Sequence, residues 1–177
     1  LSEGKEAKKI EDIPLEWCYG DGVILDCSHK EPGSVISRED AEAAVNALSY
    51  RIKPMDIVLI YTGSDRLWGT RKYFSHYVGV SREALAFILD LGVKVVGIDA
   101  FSFDRSLYKM VTDFLRTKNS DNLWPAHFYG REKEYCHIER LANLDKVPSA
   151  CGFRVSCFPV KIKNVGAAAV RAVAIIE

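Results

Sequence analysis

Three short apolar runs alternate with helical patterns, and this alternation limits the possible folds more than any other feature of the chain. Gly22-Val-Ile-Leu-Asp26 is bounded by glycine and a polar cluster and reads as a buried strand. Ser37-Arg-Glu-Asp40 follows with the layout of a capping box, and Ala41, Ala44, Val45 and Leu48 then recur at helical spacing. Pro54 closes that region, and Asp56-Ile-Val-Leu-Ile-Tyr-Thr62 is a second strand. Ser81 caps another helix, with Leu85, Ile88 and Leu89 as its inner stripe and Gly92 placed to end it. Val93-Lys-Val-Val-Gly-Ile98 is the third strand. Strand, helix, strand, helix, strand is the signature of an α/β fold. A further helix is expected over Leu107–Leu115. Phe153–Ile162 and Val170–Ile176 are rich in β formers without intervening helices, so the sheet is expected to be mixed rather than purely parallel.

The 177 residues suit one domain, with 48% apolar and 27% charged residues. Twenty-four basic side chains balance twenty-four acidic ones. That balance excludes a nucleic-acid binder working through phosphate contacts, which needs a basic surplus. Asp90, Lys94 and Arg171 interrupt the best apolar stretches, so no run has the length of a membrane span. Five cysteines without a C-x-x-C pair fit neither a zinc ribbon nor a disulfide scaffold, and reduced thiols in a cytoplasmic protein are expected.

Ligands of open α/β sheets bind beyond the carboxyl ends of the strands. Asp26-Cys-Ser-His29, Tyr61-Thr-Gly-Ser-Asp65 and Asp99-Ala-Phe-Ser-Phe-Asp104 fall there. Each cluster can equally consist of turn formers. Cys27 beside His29 suggests a cysteine hydrolase, although neighbours in an extended chain point to opposite faces. A fourth cluster runs from Trp124-Pro-Ala-His127 to Tyr135-Cys-His-Ile-Glu139. His127 and Glu139 offer a nitrogen and an oxygen to a divalent metal. If Tyr135–Glu139 is a strand, His137 and Glu139 share a face. If it is helical, Ile138, Leu141 and Ala142 turn inward instead. Arg131-Glu-Lys-Glu134 reads as a solvated face.

Several blocks in fixed order resemble the cyclase family of metal-dependent hydrolases, which includes bacterial kynurenine formamidases and isatin hydrolases. They are Ile13-Pro-Leu15, Gly22–Asp26, Ile36-Ser-Arg-Glu-Asp40, Asp56–Gly63, Gly79-Val-Ser81, and Gly92–Asp99 with Ser102 and Asp104. His127, Glu139–Pro148, Phe158–Ile162 and Val170–Ala174 complete the set. The resemblance implies a swivelling β/β/α domain with a mixed sheet over residues 1–177. It implies a divalent cofactor, zinc or manganese, and hydrolysis of an amide or lactam bond in a small-molecule substrate. It also implies a homo-oligomer, dimer or tetramer. His127 and Glu139 match two family positions that ligate a second metal or transfer a proton, which makes His127 the catalytic candidate and both residues metal ligands. The resemblance assigns no role to His137. The family's main metal motif, H-x-G-T-H-x-D-x-P-x-H, lies upstream of the Ile-Pro-Leu block and does not occur here. Either a preceding segment carries it or this version has lost it. The start at Leu1 rather than Met favours the first, with roughly 40–80 residues expected upstream, enough for one or two strands. A non-catalytic binding relative on the same fold is the rival under the second. Trp68, Phe101 and Trp124 are candidates to line an aromatic pocket or to fill the core.

Overall fold

The computed structural model of the chain describes residues 7–176; residues 1–6, part of the polar lead-in, and residue 177 lie outside. Eight strands and four α-helices are found among the described residues: β1 Tyr19–Asp26, β2 Val35–Ile36, α1 Arg38–Asn46, β3 Ile57–Tyr61, β4 Gly79–Val80, α2 Arg82–Asp90, β5 Val95–Ile98, α3 Leu107–Thr117, α4 Pro125–Tyr129, β6 Cys136–Ile138, β7 Phe153–Ser156 and β8 Val173–Ile175. Six strands form one sheet in the order β6-β5-β3-β1-β7-β8. The first four run parallel, and β7 and β8 are antiparallel to their neighbours. The sheet is therefore mixed, as the loss of alternating helices near the C-terminus predicts. Strands β2 and β4 make a separate parallel pair.

Alternation along each strand divides the core in two. Val23 and Leu25 of β1, Val58 and Ile60 of β3, and Val96 and Ile98 of β5 face α1 and α2. Ile24, Ile57, Leu59 and Val95 face a second cluster built on Trp17, Leu144 and Phe153. All of β3 is buried, as expected of a central parallel strand covered on both faces.

The two predicted caps form. Ser37 Oγ accepts the Asp40 N–H at 3.2 Å, and the Asp40 carboxylate accepts the Ser37 N–H at 2.8 Å. Aspartate thus does the work of the usual glutamate. Ser81 Oγ accepts the Ala84 N–H at 3.1 Å. Leu85, Ile88 and Leu89 are buried, and Gly92 ends the helix in the left-handed region at φ +90°. The third predicted helix runs two residues beyond its expected end, to Thr117. Two boundaries differ more. β1 begins at Tyr19, because Tyr19–Gly22 pairs with β7, a contact that local hydropathy does not encode. Only Phe153–Ser156 of the predicted Phe153–Ile162 run is a strand, and beyond it Pro159 bridges Val170 alone. No helix among the described residues is long and apolar enough to cross a membrane.

Candidate metal centre

The carboxyl ends of β5 and β6 lie side by side, and the segments leaving them build the site. After β5, the chain turns through Ser102, Phe103 and Asp104. After β6, it reaches Glu139. His127 comes from α4, which Pro125 opens at its first position. Trp124 has no capping side-chain bond there. The buried Asp104 carboxylate takes that place, accepting the Ala126 N–H at 2.8 Å and the His127 N–H at 3.1 Å. The same carboxylate lies 2.6 Å from His127 Nδ1. Glu139 Oε1 accepts the Phe103 N–H at 2.8 Å and the Ser102 hydroxyl at 3.1 Å.

Tyr135–Glu139 takes the strand alternative, which turns His137 and Glu139 to one face. Glu139 Oε1 is 3.7 Å from both His127 Nε2 and His137 Nε2. The two imidazoles meet edge to face at 4.5 Å between centroids. One donor atom from each of the three residues lies within 4.8 Å of the others. Two donors bound at about 2.1 Å in tetrahedral geometry stand about 3.4 Å apart, so the cluster is close to the span a divalent ion needs. Burial, with His127 alongside, holds the His137 ring down at about 4. It is therefore neutral at physiological pH, the form in which imidazole ligates metal. Burial opposes the charged form of His127 too, but the Asp104 and Glu139 carboxylates raise its pKa on balance. A donor set of two nitrogens and one carboxylate suits zinc or manganese.

Thus both sequence candidates, His127 and Glu139, reach one site, and His137 joins them. Its signal was present in the spacing: period-two alternation through Cys-His-Ile-Glu would pair it with Glu139. Three residues of strand are too few to tell from a helix by pattern.

Of the other clusters, Asp99–Asp104 sends Ser102, Phe103 and Asp104 to this site, while its first residue and the remaining two clusters stay apart. Thr62, Ser64 and Asp99 bind one another: the Thr62 hydroxyl lies 2.5 Å from Asp99 Oδ1 and 2.6 Å from Ser64 Oγ. All three are buried. Cys27 is 1% exposed, and burial together with Asp40 and Asp26 pushes its thiol up to about 12. His29 is exposed. A thiol so held is the opposite of an activated nucleophile.

A cleft of about 670 Å³ follows the outer edge of β6 and reaches His127 and His137; Trp17, Cys18 and Tyr135 line it. Trp68, Phe101 and Trp124 do not line this cleft. Trp68 and Trp124 are exposed, so they are not core residues either, whereas Phe101 takes the core alternative, half-buried against the main cluster and packed on Tyr73 and Phe74. Loop position leaves the two tryptophans exposed, since both lie outside the strands and helix faces that bury apolar rings.

Solved structures share this architecture. An isatin hydrolase bound to the product analogue thioisatinate superposes with a TM-score of 0.78 at 20% identity, over 95% of this chain and 64% of that one. Isatin hydrolase A from Labrenzia aggregata, bound to benzyl benzoate, gives 0.78 at 22%, over 95% and 65%. A structure described as a potential metal-dependent hydrolase with cyclase activity gives 0.66 at 21%, over 99% and 73%. The chain therefore spans less than two thirds of these two isatin hydrolases. No curated protein matches it. The family described as "Putative cyclase" matches residues 2–105, which carry β1 to β5 and end one residue past Asp104. The chain belongs to the cyclase family.

Proposed function

We propose that the chain is the larger part of a metal-dependent hydrolase that opens an amide or lactam bond of a small aromatic substrate. The observation that carries this reading is the convergence of His127, His137 and Glu139 within 4.8 Å, with the two histidines lining a cleft. The cleft's volume is in the range that holds small organic ligands. Trp17 and Tyr135 give it aromatic walls. The resemblance to isatin hydrolases supports a planar amide or lactam as substrate.

His127 and His137 each offer a neutral ring nitrogen to the ion, and Glu139 offers the negative charge that holds it. A divalent ion there supplies Lewis acidity and brings the pKa of water toward neutrality. Ser102 and the Phe103 N–H fix the Glu139 carboxylate, so it meets its partner without reorganising. The two roles open to His127 exclude each other: with Nδ1 held by Asp104, its Nε2 either ligates the ion or, if His137 and Glu139 hold the ion without it, relays a proton whose affinity the neighbouring carboxylates raise. A segment upstream of Leu1 completes the domain and supplies further ligands in this reading. A homo-oligomer, dimer or tetramer, belongs to it as well, supported by exposed Phe158, Val160, Val173 and Ile175 toward the β8 edge. So does a cytoplasmic location, in keeping with five free cysteines.

Elemental analysis of full-length protein purified without chelators should find zinc or manganese. His127→Ala should lower the hydrolysis rate on the order of a hundredfold. Glu139→Gln should lower it in a way that excess metal partly restores. A metal-free protein that still hydrolyses its substrate would overturn the mechanism.

A further inference from the structure

His127 and His137 are held by different means. Phe103 and Tyr135 flank the His137 ring, at 5.0 and 5.7 Å between centroids. His127 instead meets a buried carboxylate at 2.6 Å through Nδ1, while its Nε2 faces Glu139. Asp104 is 0% exposed, and the other partners of its two oxygens are the backbone N–H groups of Ala126 and His127. Both oxygens of the carboxylate already accept a backbone N–H, so it faces the ring as an acceptor and the Nδ1 opposite it carries the proton. In the neutral ring Nε2 is then the free lone pair, directed at the centre. The Trp124 backbone at φ +49° is in the left-handed region, which a bulky residue rarely adopts. Three residues later His127 is bound to Asp104 through both backbone and ring, so the carboxylate fixes the turn and the imidazole together.

We propose that Asp104 is the positioning residue of the centre: it locks His127 in the Nδ1–H tautomer and so presents Nε2 to the metal. The assignment rests on the metal reading above for its consequence, but not for its geometry. Its experiment therefore has two separable readouts on the full-length protein. The first is the tautomer of His127 in metal-free protein with ¹⁵N-labelled histidine, observed by long-range ¹H–¹⁵N correlation at a pH where the ring is neutral. Wild type should show Nδ1 protonated and Nε2 bare, and Asp104→Asn should lose that preference. The second is the dissociation constant for zinc alone, which Asp104→Asn should weaken about ten- to hundredfold, the usual scale for removing a ligand's hydrogen-bond partner. An Nε2–H or mixed tautomer in wild type overturns the proposal even if the variant fails to fold. So does a variant whose tautomer changes while its zinc affinity stays within about twofold of wild type. If wild type shows the Nδ1–H form yet binds no zinc, the metal reading fails and Asp104 keeps its role in orienting His127.

Discussion

Asp99 anchors the start of the loop that carries Ser102 and Asp104, and it does so as a carboxylate with 0% exposure. The Thr62 N–H and hydroxyl bind it at 3.1 and 2.5 Å, which favours its charged form. Burial outweighs them and raises its pKa from 3.8 to about 6. Between those values the folded protein holds more proton than the unfolded chain, so stability rises as pH falls. The contribution is complete below 3.8 and is lost as pH climbs through 6. A rise of about two units is worth about 3 kcal/mol at 1.36 kcal/mol per unit. Asp99→Asn removes the titration and keeps the shape. Urea denaturation of both proteins between pH 4 and 7.5 measures the difference in unfolding free energy. That difference should move by about 2.5 kcal/mol toward wild type on going to pH 4, short of the full value of about 3 because the unfolded carboxyl is still more than half ionised there. A constant offset, whatever its size, would show that Asp99 titrates at its ordinary value and that burial does not govern it. Lowered carboxylates such as Asp21 and Asp113 destabilise both proteins alike at acid pH, and so cancel from the difference.

The other tests are simpler. His137→Ala should weaken zinc binding at least about tenfold, which equilibrium dialysis measures, because it removes one of three donors. Cys27 should resist iodoacetamide in the folded protein and Cys27→Ser should leave the hydrolysis rate unchanged; rapid labelling with loss of activity would restore the thiol mechanism. Ile88→Ala, at a fully buried position under the sheet, should cost about 2–5 kcal/mol by chemical denaturation while leaving metal content intact.

Those elements that signal locally were legible in the sequence. Ser37 and Ser81 announce their helices because a hydroxyl satisfies an N–H three residues away, and β3 announces itself because burial on both faces demands five apolar residues in a row. β6 gave no such sign. It is a three-residue edge strand whose pairing with β5 depends on residues some forty positions earlier. The place of His137 beside Glu139 stayed conditional on that strand for this reason, whereas His127 and Glu139 could be named without it. The link between Asp104 and His127 was hidden too, since an aspartate after a strand looks the same in sequence whether it makes a turn or receives an imidazole.

What the sequence placed in separate blocks, the end of β5 gathers. Gly97 makes room for it: a Cβ there would stand 2.6 Å from a Leu141 methyl and 2.9 Å from a Leu59 methyl, so the bare backbone lets Leu141 lie over the strand without displacing either side chain. The Leu141 and Arg140 N–H groups then bind the carbonyls of Ile98 and Ala100 at 3.0 Å each. Arg140 takes a left-handed φ of 64° to make this turn. Glu139, immediately before it, is thereby carried to Ser102 and Phe103, and the next residue of that loop, Asp104, holds His127. Three successive residues after one strand thus clamp Glu139 and His127, the first through a hydroxyl and an N–H and the second through a carboxylate. A displacement of this loop would disturb His127 and Glu139 together, so the geometry of these two side chains is set by a single element of the fold.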